Sequence, residues 1–541
     1  MKKLKAAMLI IIIAVGLILY IYPFSFKFEY EEYNGSIYIQ QYNGYFPYIT
    51  LPKTHNGTKI SGMRRLRSSY CDLKKVVIPD GYDFETAALA SHTKLEEVTL
   101  PSDITELTSN LFFQCNNLKS IDIPENVTRI GKYTFAYCSS LEDIYIPAAV
   151  SQIGSDAEEV SVYGYTYEHL PSGSAFAGCS SLKSFSVHED NNSFISVDGV
   201  LYSKDMSVLI AYPAAKTDSE YIIPDSVSRI SANAFHSASA LEKITIPPSV
   251  SEIDSGAFAY CEALKEITLP DGITVINDKL FNGCVSLKNL CIPQDTEKIG
   301  KSAFMNCSSL ESISIPYNTV TIGELAFYGC RSLSSVNISE NITEIGNDAF
   351  LNCTMLKGIY TAESNKHYMD IDGILFNKNG DVLLAYPAGK DDISDYRVPD
   401  CVTEISQNAF FSCSLRSIIY PPELKKQVIA PSYCENLEYL TIPKSCAKHL
   451  MYFTKSDGIK QVYDYTTDNK WTSKPVSNPH HIMLVLDGGS FCENWPYEQT
   501  LTKEGFRFIG WSTKSCDDKE NAGEIFDYYN RIFYAVFEEE Q

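Results

Sequence analysis

The sequence predicts an α/β repeat solenoid: short parallel strands stacked into one sheet on a concave face, with brief helical or irregular returns outside. Three observations predict it. Phenylalanine recurs on a 23-residue beat, an apolar strand pattern closed by proline follows it, and cysteine holds one fixed place in the beat. A period of this length marks units that cannot bury their apolar faces alone and must stack.

The beat comes first. Phe112 and Phe135 stand 23 residues apart, as do Phe235, Phe258, Phe281, Phe304, Phe327 and Phe350 in unbroken succession. The strands come next. Leu118-x-x-Ile121-x-Ile123-Pro124, Leu264-x-x-Ile267-x-Leu269-Pro270 and Leu310-x-x-Ile313-x-Ile315-Pro316 are three examples. Leucine and isoleucines point inward, and proline, lacking an N–H, ends the ladder. Thirteen strands start at Leu73, Leu95, Leu118, Leu141, Leu182, Leu241, Leu264, Leu287, Leu310, Leu333, Leu356, Leu415 and Leu437. Degenerate units join them at Tyr221–Pro224 and Tyr396–Pro399. A second apolar pair follows each strand, as in Val127-x-x-Ile130 and Val250-x-x-Ile253.

Two longer units break the beat. Asp198-Gly-Val-Leu-Tyr leads to Ala-Tyr-Pro213, and Asp372-Gly-Ile-Leu-Phe leads to Ala-Tyr-Pro387, an offset of 174 residues. A block has been duplicated, and its insert reads as a β-hairpin built on an Asp-Gly turn. A further insertion, Ser155–Ser172, carries Tyr163, Tyr165, Tyr167 and His169. It is either a contact loop on a rigid scaffold or a loop packing its rings on the flank.

Ten of the sixteen cysteines share one repeat position: Cys115, Cys138, Cys179, Cys261, Cys284, Cys307, Cys330, Cys353, Cys434 and, shifted by one, Cys413. No Cys-x-x-Cys occurs, so metal chemistry is not implied. A small thiol suits a tight interior place, and Ala238 fills the same place in one repeat. The ladder is therefore structural, with parallel rather than facing side chains. Cys492 and Cys516 lie outside it and are a separate candidate pair.

The Ile-Pro-x-x-Val-x-x-Ile-x-x-x-Ala-Phe-x-x-Cys-x-x-Leu pattern resembles the BspA-like class of leucine-rich repeats over roughly Leu73 to His449. The resemblance implies a leucine-rich-repeat superhelix and a cell-surface protein that binds host or matrix proteins or other bacteria. Its contact positions would be outward strand residues: Asp122, Tyr145, Thr245, Thr268, Ser314, Asn337 and Thr441, with Tyr163, Tyr165 and Tyr167 on the insertion. These strand positions are mostly small and polar, suiting broad contact with an extracellular protein or glycan rather than a deep pocket.

The ends complete the plan. Three lysines precede Ala6–Tyr22, seventeen residues without a charge. A basic flank before an apolar run marks export, and the absent small-x-small site favours an uncleaved anchor over a removed signal. Domains are expected as a transmembrane anchor helix over 1–24, an N-terminal cap over 25–70, repeats over 71–450, a linker over 451–479 and a β module over 480–541. That last segment, with Gly505, Phe506, Phe508, Gly510, Trp511, Tyr534 and Ala535, resembles the Listeria–Bacteroides repeat, which implies a small β-grasp-like spacer or binding unit.

Several function classes fall away. A net charge of −22 opposes nucleic-acid binding, which needs positive surface. No G-x-S-x-G, H-E-x-x-H, Walker or G-x-G-x-x-G motif is present, so no catalytic, metal or cofactor-binding residue is expected. Three readings remain, in order: a membrane-anchored surface binding protein or adhesin, a self-associating envelope scaffold, and an extracellular hydrolase. The oligomeric state is left open.

Overall fold

The computed structural model describes residues 28–154, 174–421, 424 and 431–437 in full, and eight strands between 439 and 539 by their backbone. The anchor segment, Tyr163, Tyr165, Tyr167, and the Cys492 and Cys516 pair lie outside the described residues. Among those that are described, no helix is long and apolar enough to cross a membrane. The chain divides into two compact units between Pro293 and Gln294. Both are stacks of repeats.

In the first unit an antiparallel hairpin, Phe28–Tyr33 and Ser36–Tyr42, opens the stack. Ser36–Tyr42 runs parallel to Thr58–Ser68, so the first repeat meets a covered edge rather than solvent. Arg64 pins this start. It pairs with Glu31 and Glu85, both at 2.8 Å, and its guanidinium lies 5.2 Å from the Tyr33 ring.

Each repeat then contributes to two parallel ladders. The longer one follows the leucine pattern, as in Lys243–Thr245 against Glu266–Thr268. The shorter one follows the second apolar pair, as in Arg229–Ile230 against Glu252–Ile253. The second unit repeats both, with Ser335–Ile338 against Gly358–Thr361 and Thr321–Ile322 against Glu344–Ile345. Strands Glu220–Ile222 and Asp395–Arg397 confirm the two degenerate repeats. Leu118 is buried as expected, although its leucine segment forms no strand and its repeat joins only the short ladder, through Arg129–Ile130.

The outer returns correct the sequence reading. Among the described residues there is no helix, so the α/β expectation gives way to an all-β stack. The backbone explains why. Most returns hold left-handed residues four apart, such as Tyr133 and Tyr137 (φ 56° and 60°) or Ser302 and Asn306 (φ 55° and 61°). Such φ values interrupt α geometry. Alternate N–H groups bond forward to the next repeat, and those between them bond back only three residues, too short a reach for an α-helix. Phe112 N–H reaches Thr134 O, Phe235 reaches Ala257 O and Phe327 reaches Ala349 O, each at 2.8 Å. Beneath them the phenylalanines stack: Phe258 on Phe281 at 5.5 Å in the first unit, Phe304 on Phe327 at 5.2 Å in the second.

Both inserts are three-stranded meanders, one strand more than a hairpin. Phe194–Val197, Val200–Ser203 and Val208–Ala211 pair antiparallel, and Tyr368–Ile371, Ile374–Asn377 and Val382–Ala385 repeat them. Asp198-Gly199 and Asp372-Gly373 form the first turn with φ of 50° and 78°, and 53° and 77°. Glycine takes these values without a Cβ clash. Each third strand then joins the short ladder.

Beyond Leu437 the backbone continues as strands. Tyr439–Pro443 pairs with His481–Leu486, and Lys460–Thr466 pairs with Lys470–Lys474. The segment read as a linker therefore holds two strands. Ser490–Phe491, Leu501–Lys503, Phe506–Ser512 and Tyr534–Glu539 form a separate antiparallel sheet.

Candidate interaction surface

The long ladder fixes which side chains face out. Asp122, Tyr145, Thr245, Thr268, Ser314 and Asn337 are all exposed, between isoleucine, leucine or valine neighbours that are buried except for the half-buried Ile315. The period of two along a strand produces this alternation. Rows run across the rungs: Ile222, Thr245 and Thr268 are in register, as are Tyr145 with Ser186 and Asn337 with Tyr360. The Thr441 side chain lies outside the described residues.

Two adjoining outward rows were not read from the sequence, and they are charged rather than small. Lys74 meets Glu96 at 2.9 Å, Lys183 meets Glu142 at 2.5 Å, Lys243 meets Glu266 at 3.1 Å and Lys265 meets Glu242 at 2.9 Å. Each pair joins one rung to its neighbour. Hydrogen bonds to Glu96, Glu142 and Glu266 raise the pKa values of Lys74, Lys183 and Lys243. The signal was the alternation of Lys and Glu after strand leucines of the first unit, such as Leu241 and Leu264, visible only once rungs are aligned.

Tyr360 is the outward residue the sequence reading missed. It is 47% exposed. Two glycines make its seat. A Cβ at Gly358 would stand 2.5 Å from the tip of the ring, and one at Gly373 would stand 3.3 Å from its edge. The ring therefore lies against bare backbone, held in place and open on its other side. A rigid, amphipathic ring of this kind loses little entropy on contact. Other exposed rings gather near the first repeats: Tyr45 and Tyr70 with centroids 5.3 Å apart, beside Phe46 and Tyr48.

The cysteine ladder faces inward. Cys115, Cys138, Cys179, Cys261, Cys284, Cys307, Cys330, Cys353, Cys413 and Cys434 are all buried, free thiols. Their chemistry is a finding of the structure. Cys138 Sγ donates to Phe112 O at 3.2 Å, and that oxygen also accepts from Cys115 N–H at 3.0 Å. Cys261 does the same to Phe235, and Cys353 to Phe327, each at 3.1 Å. The thiol occupies the second lone pair of a buried carbonyl, which a methyl group cannot do. Burial pushes the thiols of Cys115, Cys179, Cys261 and Cys353 up to about 12. Such thiols are inert.

Buried polar groups elsewhere are structural too. Burial holds His236 neutral, its pKa down to about 4, with Nδ1 2.8 Å from Ser237 Oγ. Two concavities lie where an insert interrupts the outer returns. One of about 850 Å³ is lined by Gly154, Ser174, Phe176 and Arg229, and one of about 430 Å³ by Gly346, Asp348, Phe350 and Asn408. Among the described residues, no group of three His, Cys, Asp or Glu could hold a metal ion.

Stacked strands with inward leucines, stacked phenylalanines and a thiol ladder define a leucine-rich-repeat solenoid. The chain belongs to the BspA type leucine rich repeat family, whose model matches residues 68–160, 219–368 and 388–465 in six copies. Similar crystal structures include a leucine rich cell surface protein from Faecalibacterium prausnitzii A2-165, 26% identical with TM-score 0.38, covering 62% of this chain and 93% of that one. A leucine-rich repeat protein from Bacteroides ovatus ATCC 8483 is 22% identical with TM-score 0.36, over 79% of this chain and 95% of that one. The pneumococcal vaccine antigen PcpA is 18% identical with TM-score 0.39, over 85% and 97%. No curated protein matches the chain.

Proposed function

We propose that this chain is a non-catalytic binding protein of the bacterial surface, and that the outward rows of its long ladder take an extended protein partner. Family membership supports the class. The observation that carries the reading is Tyr360, pre-seated on Gly358 and Gly373 in the same outward row as Asn337. Aromatic residues dominate interface energetics when their geometry is fixed before contact. Exposed Ser335 and Asn337 on the neighbouring rung are small and polar, which suits a wide, wet contact.

Display requires export, and the lysine-flanked apolar segment supports it. The 480–541 module would then stand as a spacer or second binding unit. Protease shaving of intact cells, with blots for both ends, tests display. Loss of the C-terminal module from intact cells is expected, and survival until lysis would end the surface reading. Binding is tested with the full chain and Tyr360→Ala against arrays of extracellular proteins and glycans. The expected result is a protein partner whose affinity falls at least about tenfold in the variant. A glycan hit, or a protein partner indifferent to Tyr360, overturns the assignment.

A further inference from the structure

Regular rungs of the cysteine ladder keep their sulfurs apart. Cys138, Cys179, Cys261, Cys284, Cys330 and Cys353 each sit on a phenylalanine carbonyl of the rung before, and neighbouring strands lie about 4.8 Å from one another. An S–S bond needs about 2.05 Å. The last two rungs differ. After Cys413 the chain reads Cys413-Ser414-Leu415, one residue short of the Cys-x-x-Leu of the other rungs. The following cysteine comes after 21 residues. The shortened return carries the Cys413 sulfur along its turn, to 3.0 Å from Cys434 Sγ. Both side chains are buried in one apolar cluster with Phe410, Leu415 and Leu437. Cys434 Sγ keeps the phenylalanine carbonyl of a regular rung, Phe410 O at 2.9 Å, and meets Cys413 Sγ as well, a contact that nothing in the repeat pattern requires.

We propose that Cys413 and Cys434 form a disulfide that fastens the C-terminal end of the repeat array. The electron acceptor is an external disulfide such as oxidised glutathione. One cysteine loses its proton and its thiolate attacks that disulfide, giving a mixed disulfide and expelling one external thiolate. The second cysteine, deprotonated in turn, attacks the protein-side sulfur and expels the other. Two protein thiols become one S–S bond, the external disulfide gains two electrons, and the two released protons are taken up by the expelled thiolates. The exchange runs while the last repeat is open, because closure buries both sulfurs. This pairing is independent of the binding face.

The test uses the full chain folded with oxidised glutathione, then unfolded in N-ethylmaleimide and mapped by mass spectrometry without reductant. The expected result is one linked peptide pair joining Cys413 to Cys434, with Cys115, Cys138, Cys261, Cys284 and Cys330 alkylated. Alkylation or glutathione capping of Cys413 and Cys434, or linkage to other partners, overturns the proposal. A second measurement follows proteolysis of the C-terminal end. Dithiothreitol should speed it in the wild type, by on the order of a hundredfold, and leave Cys413→Ala unchanged. A wild type indifferent to the reductant is equally fatal.

Discussion

The duplicated block allows the molecule to be compared with itself. In the first unit Asn191 is wholly buried, donates to Pro147 O and Val150 O at 2.8 and 2.9 Å, and accepts from the N–H groups of Ser193 and Phe194. In the second unit Asn365 does the same with Ser339 O, Ile342 O, His367 and Tyr368. Tyr212 and Tyr386 take the phenylalanine seat in their inserts, 5.2 Å from Phe235 and 5.5 Å from Phe410. Where the copies agree, the insert could not otherwise satisfy its backbone or continue the aromatic stack. Where they differ, one copy has been released to other uses. His236 has become Phe411, Ala238 has become Cys413, and Ser184 and Ser186 have become Gly358 and Tyr360.

The largest effect should come where the copies are the same. Asn191→Ala and Asn365→Ala each strand two buried carbonyls and two N–H groups, at a cost of about 3 kcal/mol. Hydrogen exchange at Phe194–Val197 or Tyr368–Ile371 would report it locally. Equal losses in both copies confirm a shared anchor. A loss confined to one copy would show that the duplicated asparagines have diverged in role.

The next effect should come where they differ. His236 titrates at about 4 when folded, below its ordinary 6.5, because burial disfavours the cation. As pH falls, the unfolded chain takes the proton first. Stability is complete above pH 6.5, declines between 6.5 and 4, and by pH 5 has lost about 2 kcal/mol from this group. His236→Phe, the residue of the second copy, should remove that dependence at the 233–238 return while leaving neutral-pH stability within about 1 kcal/mol. Hydrogen exchange across pH 4 to 7 checks both. An unchanged pH slope in the variant would place the acid sensitivity elsewhere.

The beat, both ladders, the degenerate repeats and the buried cysteines were legible because each depends on a period that sequence displays. The outer returns were not. The Ala-Phe run reads as helix-compatible, and only the forward bonds from Phe112 to Thr134 and from Phe235 to Ala257 show that inter-repeat pairing wins. Asn191 was invisible for a related reason, since its four partners come from two repeats. The face was half legible. Outward positions follow from the period of two, but the Lys243–Glu266 and Lys265–Glu242 pairs need register. Tyr360 needs the knowledge that Gly358 and Gly373 lie beneath it.

A smaller effect tests the thiol ladder. Cys261→Ala and Cys353→Ala should each cost about 1 kcal/mol, through a lost carbonyl partner and a small void. Ala238→Cys, restoring the rung the first copy lacks, should be neutral or slightly stabilising. Urea unfolding of the three variants decides it. A Cys261→Ala loss no larger than the scatter of surface substitutions would reduce the thiol to a space filler.

The smallest stability effect, and the sharpest functional contrast, lies on the outward rows. The first unit sets Lys243 against Glu266 and Lys265 against Glu242, about half exposed. Pairs of this kind contribute at most about 1 kcal/mol, and less in salt. The second unit offers Ser334, Ser335, Asn337 and Tyr360 at the matching places. Lys265→Glu should therefore shift the melting point barely, while placing like charges on adjacent rungs. If the partner docks on the charged rows, this variant slows association and changes its salt dependence. If it docks where Tyr360 is seated, Lys265→Glu leaves affinity untouched and Tyr360→Ala raises the dissociation rate. Association and dissociation rates at two ionic strengths separate the faces. The seated ring predicts the second outcome, because a preordered aromatic group governs how long a contact lasts, whereas exposed charge governs how often it begins.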